Sequence, residues 1–181
     1  DKDDLNNLIV IKDPKKVIDH LHNGLKNISS DNILNYKPIL NLINKTYDVE
    51  KMTKMIIGDV WNEINDSSQN QMISVFQEFI AKNYIKRFSK LDTYRFIYES
   101  KKNVGRNYML IKTILKLQKE EIKIDYLLSE KDKSWKIFDV LLDGSISEIA
   151  TKKSEFSVFI KEKNIDELID ALDKKNSNIL K

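Results

Sequence analysis

The chain contains no cysteine, which excludes disulfides and thiolate-bound metals. It has only four glycines and two prolines in 181 residues. No Gly/Pro/Ser-rich linker therefore divides it, and the pattern predicts one domain. Its length suffices for a sizeable core. No apolar run approaches the ~20 residues that carry a helix across a bilayer. Walker and Gly-rich phosphate loops are absent, and so is any nucleophile–base set. The only two histidines, His20 and His22, lie two apart and so point away from each other on a helix. Neither has a partner at ligand spacing, so both are expected to be solvated or capping rather than metal ligands. An Arg-rich stripe is also missing. Net charge is +3 and comes from Lys interleaved with Asp and Glu, the mark of a solvated surface rather than a nucleic-acid footprint. The chain opens on DKDDLNN without an initiator Met or a signal peptide. That start is expected to be processed or trimmed, with residues 1–12 and 175–181 frayed.

What is present falls into two periods. The first half is helical. Asp13 is a good N-cap, with Pro14 at the first helical position. Val17, Ile18, Leu21, Leu25 and Ile28 recur at helical spacing. A second helix starts at Ser30 or Asp31 and carries Ile33, Leu34, Ile39, Leu42 and Ile43, with Pro38 either kinking or splitting it. Asp48 caps a third helix that ends near Gly58. A long helix follows, with Ser67 as its N-cap. Its stripe of Met72, Val75, Phe76, Phe79, Ile80, Tyr84, Ile85 and Phe88 is the strongest amphipathic signal in the chain.

The second half alternates with period two. Four strands are predicted. Tyr94, Phe96 and Tyr98 mark the first, which ends at a turn over Asn103–Gly105. Met109, Ile111, Thr113, Leu115 and Leu117 mark the second. Ile122, Ile124, Tyr126 and Leu128 mark the third, and SEKDKS forms a hairpin loop to the fourth. There Trp135, Ile137, Asp139 and Leu141 share one face. Gly144 allows a tight reversal. Ser145 or Ser147 then caps a helix running from about Ile146 to Lys161, and Asn164 caps a last one. The order predicts an α+β fold: helices over a curved four-stranded antiparallel meander.

Several segments together resemble the MlaC-type family, the toluene-tolerance auxiliary components of ABC transporters. An aromatic strand ending in Asp, an acidic-Gly-x-Ser turn, a basic pair and an aromatic residue match Trp135, Asp139, Asp143, Gly144, Ser147, Lys152, Lys153 and Phe156. A "Ser-x-x-Gln then Phe-x-x-Phe" pattern matches Ser68, Gln71, Phe76 and Phe79, and the family's helix tyrosine matches Tyr84. A "Gly-Ile-Asp-x-Leu" pattern matches Asn164, Ile165, Asp166 and Leu168, with Asn in place of Gly. The resemblance covers about Asp13 to Lys174. It implies an NTF2-like fold around an apolar cavity. It also implies a periplasmic carrier, free of cofactors, that passes phospholipid or another acyl ligand between two membrane complexes and performs no chemistry. Its partners would be an inner-membrane ABC transporter with its MCE-type subunit and an outer-membrane lipoprotein/porin complex, not nucleic acid. The cavity wall is expected to comprise Val60, Trp61, Phe76, Phe79, Ile80, Tyr84, Tyr98, Ile111, Leu115, Ile124, Tyr126, Ile137 and Ile146.

Patterning by itself does not separate a hollow from a filled core, and only the resemblance favours the hollow. Two other functions fit the same residues. One is an NTF2-like isomerase or dehydratase with Asp139 as base, assisted by Tyr84, Tyr98 or Tyr126. The other is an adaptor that uses its helical face. For Asp139 the competing role is structural: a carboxylate accepting hydrogen bonds from a turn or a tyrosine. Lys152 and Lys153 are either a basic rim or plain surface charge.

Overall fold

A computed structural model describes residues 11–181, so most of the expected frayed start lies outside the described residues. Asp13 caps helix α1 (Pro14–Lys26), its carboxylate accepting from the Lys15 N–H. Pro38 splits the next helix. The chain forms a single turn, α2 (Asp31–Leu34), and restarts as α3 (Lys37–Thr46), with the proline in the first turn of α3, where its missing N–H costs nothing. Asp48 caps α4 (Val49–Ile57) through the Lys51 N–H. A 3-10 turn over Gly58–Glu63 then carries Trp61 inward.

The long helix α5 spans Asp66–Phe88. Its N-cap is Asn65 rather than Ser67, since the Asn65 side chain accepts the Ser68 N–H at 2.8 Å. The helix is also not one-sided. Phe76 and Phe79 turn toward the sheet, while α3 and the C-terminal helix α8 (Ile165–Ile179) pack on its other flanks. An element sandwiched this way is apolar on more than one face. Three polar ties hold α5 to α8. Ser68 Oγ donates to Asp166 (2.8 Å), Asn176 Nδ2 donates to the Val75 carbonyl (2.9 Å), and Lys82 Nζ donates to the Asn176 carbonyl (3.1 Å). These ties keep α8 regular to Ile179, well into the stretch expected to fray.

The sheet has five strands, not four, in the order β1-β2-β3-β4-β5, all antiparallel. They are β1 (Arg95–Gly105), β2 (Tyr108–Lys116), β3 (Glu121–Lys131), β4 (Ser134–Leu142) and β5 (Ile146–Ser147). Asn103–Gly105 belongs to β1, and the reversal comes after it. The SEKDKS loop contracts to a two-residue turn: Lys131 pairs with Ser134, and Asp132 and Lys133 both take positive φ. That backbone suits the twist of a hairpin. Asp143 and Gly144 turn the same way into β5. The C-terminal helical region divides into α6 (Glu148–Glu155) and α7 (Ser157–Lys161). Ser147 caps α6, accepting from the Ala150 N–H, so the helix starts two residues later than Ile146.

One irregularity corrects the face reading of β4. Leu127 pairs with Asp139 but Leu128 pairs with Ile137, leaving Phe138 as an extra residue. A bulge of this kind shifts the alternation by one. Ile137 therefore shares the concave face with Val140 and Leu142, partners of Tyr126 and Ile124. Asp139 leaves that face. Its Oδ1 accepts from the N–H groups of Val140 (2.8 Å) and Ile149 (3.1 Å), and its Oδ2 accepts from Ser147 Oγ (2.5 Å).

This carboxylate joins β4 to the start of α6. Asp139→Ala would leave two backbone donors and a hydroxyl without their acceptor. Urea unfolding should show a loss of about 3 kcal/mol, since each orphaned buried donor costs about 1–3 kcal/mol. A loss below about 0.5 kcal/mol would refute the joint.

Candidate functional site

Between α5 and the concave face of the sheet lies a cavity of about 660 Å³. The helix wall is Phe76, Phe79, Ile80, Asn83, Tyr84, Arg87 and Phe88, a run at steps of three and four that defines one face. The sheet wall alternates as strands must: Leu115 from β2 with Leu117 just past its end, Ile122, Ile124 and Tyr126 from β3, and Val140 and Leu142 from β4. Met52 and Ile56 of α4, Leu25 of α1 and Ile149 of α6 complete it. Exposed charged residues, Arg87, Glu120 and Asp143, also border the space and mark the end that opens to solvent. Lys152 lies there as well, with its ammonium 5.1 Å from the Phe79 ring centre and 3.0 Å from Glu155. Lys153 is exposed.

Of the wall residues expected from sequence, the structure brings together Phe76, Phe79, Ile80, Tyr84, Leu115, Ile124 and Tyr126. The other six lie elsewhere. Ile111 and Ile137 are on the concave face but wholly buried, in the part of the sheet that helices cover tightly. Trp61 is core, and its carbonyl accepts from Gln69. Val60 packs against the core beside it. Tyr98 sits toward the outer edge of the sheet under Lys15, 4.9 Å from its ring. Ile146 is on the short β5, 52% exposed.

Tyr47, Tyr84, Tyr126 and His22 form a set of buried polar side chains at or behind the wall. The hydroxyls of Tyr47 and Tyr84 hydrogen-bond each other, and Tyr126 Oη lies 2.9 Å from His22 Nε2. Burial raises all three tyrosines, Tyr84 to about 12 and the other two well above the ordinary value. They are therefore neutral hydroxyls throughout the physiological range. His22 is neither solvated nor a cap. It is buried and stacks on Phe96 with ring centres 3.7 Å apart. Its position four after Ile18 and three before Leu25 was the available signal, because it lies on the apolar stripe of α1. Tyr47 gave no such signal. It lies in the connection between α3 and α4, where its backbone bridges to Ile137. Asp139, the candidate base, is buried at the β4–α6 joint with both oxygens engaged.

Helices wrapped over a curved antiparallel sheet, with an apolar cavity open at one end, define an α+β fold of the ligand-binding kind. The chain matches the family model described as MlaC protein over residues 14–174, and it belongs to that family. No curated protein matches it. Its fold is that of a phospholipid-binding protein from Ralstonia solanacearum, solved in complex with a phospholipid. That match has a TM-score of 0.76 at 18% identity and covers 92% of this chain and 96% of the other.

The His22 environment carries a pH dependence. Burial, with a smaller contribution from Lys26, pushes its pKa down to about 3. The unfolded ring titrates near 6.5. Between those values the unfolded chain holds one more proton than the folded one, so stability falls as pH falls, by about 1.4 kcal/mol per unit. Unfolding free energies from denaturant titrations at pH 7 and pH 5 should differ by about 2 kcal/mol from this group. His22→Gln should flatten that part of the slope. An unchanged slope in the variant would place His22 outside the titration.

Proposed function

We propose that this protein is a periplasmic phospholipid carrier. It holds acyl chains in the cavity and moves lipid between an inner-membrane ABC transporter, through its MCE-type subunit, and an outer-membrane lipoprotein/porin complex. The observation that carries the reading is the cavity itself: about 660 Å³ walled by Phe, Ile, Leu and Val side chains. A dry void of that size, at about 24 cal/mol per Å³, would cost on the order of 15 kcal/mol, as much as the whole stability of a typical domain. Water admitted through the open end avoids the void but meets apolar walls. An acyl chain removes both costs, at about 0.8 kcal/mol per buried CH₂. The R. solanacearum protein of the same fold was solved with a phospholipid, and membership of the MlaC family supports the same ligand class.

The alternative of a base-catalysed isomerase has less support. Asp139 spends its oxygens on the β4–α6 joint. Among the described residues the Tyr84 hydroxyl bonds only that of Tyr47, and the neutral His22 ring opposite the Tyr126 hydroxyl lies behind the wall and does not line the cavity.

Protein purified gently from a Gram-negative bacterium should yield co-purifying phospholipid by solvent extraction and mass spectrometry. Protein that emerges lipid-free and takes up none from vesicles would sink the carrier reading. Ile124→Asp places a carboxylate on the sheet wall of the cavity. It should reduce retained lipid by about tenfold or more, because desolvating that charge against an acyl chain costs several kcal/mol. Circular dichroism should show a folded protein. Replacing both Lys152 and Lys153 by Gln should slow vesicle-to-vesicle transfer more than it reduces retention, since charges at a rim act on encounter. If the double Lys change strips lipid while folded Ile124→Asp keeps it, the affinity does not reside in the tails.

A further inference from the structure

The Tyr47–Tyr84 pair lies in a largely apolar wall. Both residues border the cavity. Two hydroxyls carry two O–H protons, and the bond between them uses one. Among the described residues, neither hydroxyl has another hydrogen-bond partner. The pair therefore holds a second donor for which the protein supplies no acceptor, and a buried donor left this way is costly. Tyr126 differs, because His22 Nε2 stands opposite its hydroxyl.

The position of the pair along the cavity indicates what it meets. Arg87 is one helical turn on from Tyr84, exposed at the open end, and it has no carboxylate within ion-pair distance among the described residues. On the other side of Tyr84, the α5 residues Phe76, Phe79 and Ile80 carry no charge of their own, while the Lys152 ammonium of α6, paired with Glu155, stands over the Phe79 ring. The helix thus presents a cation, then a hydroxyl pair, then hydrocarbon. A diacyl phospholipid presents phosphate, then ester carbonyls, then hydrocarbon, in the same order.

We propose that the Tyr47–Tyr84 hydroxyl pair is a subsite for the acyl ester carbonyl of the bound lipid. This deepens the phospholipid-carrier reading and rests on it. The neutral pair donates its free O–H to the carbonyl oxygen and so sets how far the lipid enters. A dialkyl ether lipid has the same tails and phosphate but lacks the carbonyl.

The test is a competition. Delipidated protein is incubated with vesicles holding equal amounts of dipalmitoyl phosphatidylglycerol and its dihexadecyl ether analogue. Bound lipid is then extracted and the ratio read by mass spectrometry. The wild type should take the ester form in about three- to tenfold excess, the range one hydrogen bond supplies. The double variant Tyr47→Phe/Tyr84→Phe removes both hydroxyls together and leaves no orphan. It should load lipid but take both forms in the vesicle ratio. Should it fail to fold, the wild-type ester-to-ether ratio itself decides, because the ether analogue already deletes the carbonyl that the pair would bind. A wild-type ratio equal to that of the vesicles overturns the subsite, and so does a preference that survives loss of the hydroxyls. In both cases the lipid is still loaded and the carrier reading stands. Wild type that loads neither lipid overturns the carrier reading itself, and the subsite with it.

Discussion

The structure depends on a mismatch of shape. Helix α5 is a single rod of 23 residues, roughly 35 Å long at 1.5 Å per residue. The sheet it faces is not flat. Register shifts interrupt β1 after Tyr98 and after Asn103, and another interrupts the β3–β4 pairing at Phe138. Each bulge bends its strand and increases the local twist. A straight rod touches a curved sheet over part of its length and stands away from the rest. At one end α1 fills the difference, and Ile111, Leu128 and Ile137 are fully buried. At the other end nothing fills it, and the cavity remains. Collapse of α5 onto the sheet would close that space. The ties from Ser68, Val75 and Lys82 to α8 hold the helix from behind, so the hollow is anchored on the side away from the ligand.

Much of the fold was readable because local rules and tertiary demands agree. Asp13, Asp48 and Ser147 each make the cap that their sequence context suggests. Pro38 divides a helix, as its missing donor requires. The seven expected residues that border the cavity come from α5, β2 and β3, where the period is undisturbed. The errors sit where a long-range feature overrides the local period. A single extra residue at Phe138 reverses the parity of β4, and no local signal in WKIFDVLL marks it. Ile111 and Ile137 lie on the right face. Whether a concave-face residue lines a hollow or is packed under a helix depends on where α1 ends, and strand periodicity carries no information about that. The environment of His22 follows from its spacing to Ile18 and Leu25 on the buried stripe of α1, not from its spacing to His20. Tyr47 belongs to no periodic element, so only the assembled fold reveals that it meets Tyr84, 37 positions away.

The buried polar groups divide by task. Asp139, Ser147 and the first turn of α6 form a closed set in which the carboxylate satisfies backbone donors at a strand-to-helix joint. A carboxylate used this way holds α6, and with it Ile149, Glu148 and Lys152, at the cavity edge. The acidic-Gly-x-Ser turn is therefore a structural device, although its Asp, Ser and Lys residues resemble reactive chemistry. The tyrosines are different. Tyr47, Tyr84 and Tyr126 border the cavity, and burial keeps their hydroxyls protonated.

Apolar walls grip acyl chains strongly but discriminate weakly, because the hydrophobic effect scales with area and has no direction. A carrier built only from such walls would hold a fatty chain of any origin. Directional choice has to come from groups with fixed geometry, and hydrogen bonds that leave a buried partner unpaired in the wrong ligand discriminate far better than a missing methylene. In this cavity those groups are few: the tyrosine hydroxyls, Asn83, and the charges at the open end. Asn83 spends one amide N–H on the Phe79 carbonyl, and the charges at the open end are screened by solvent. On the proposed reading, selectivity for the ligand's chemistry rests on the tyrosine hydroxyls, while the rest of the wall supplies affinity.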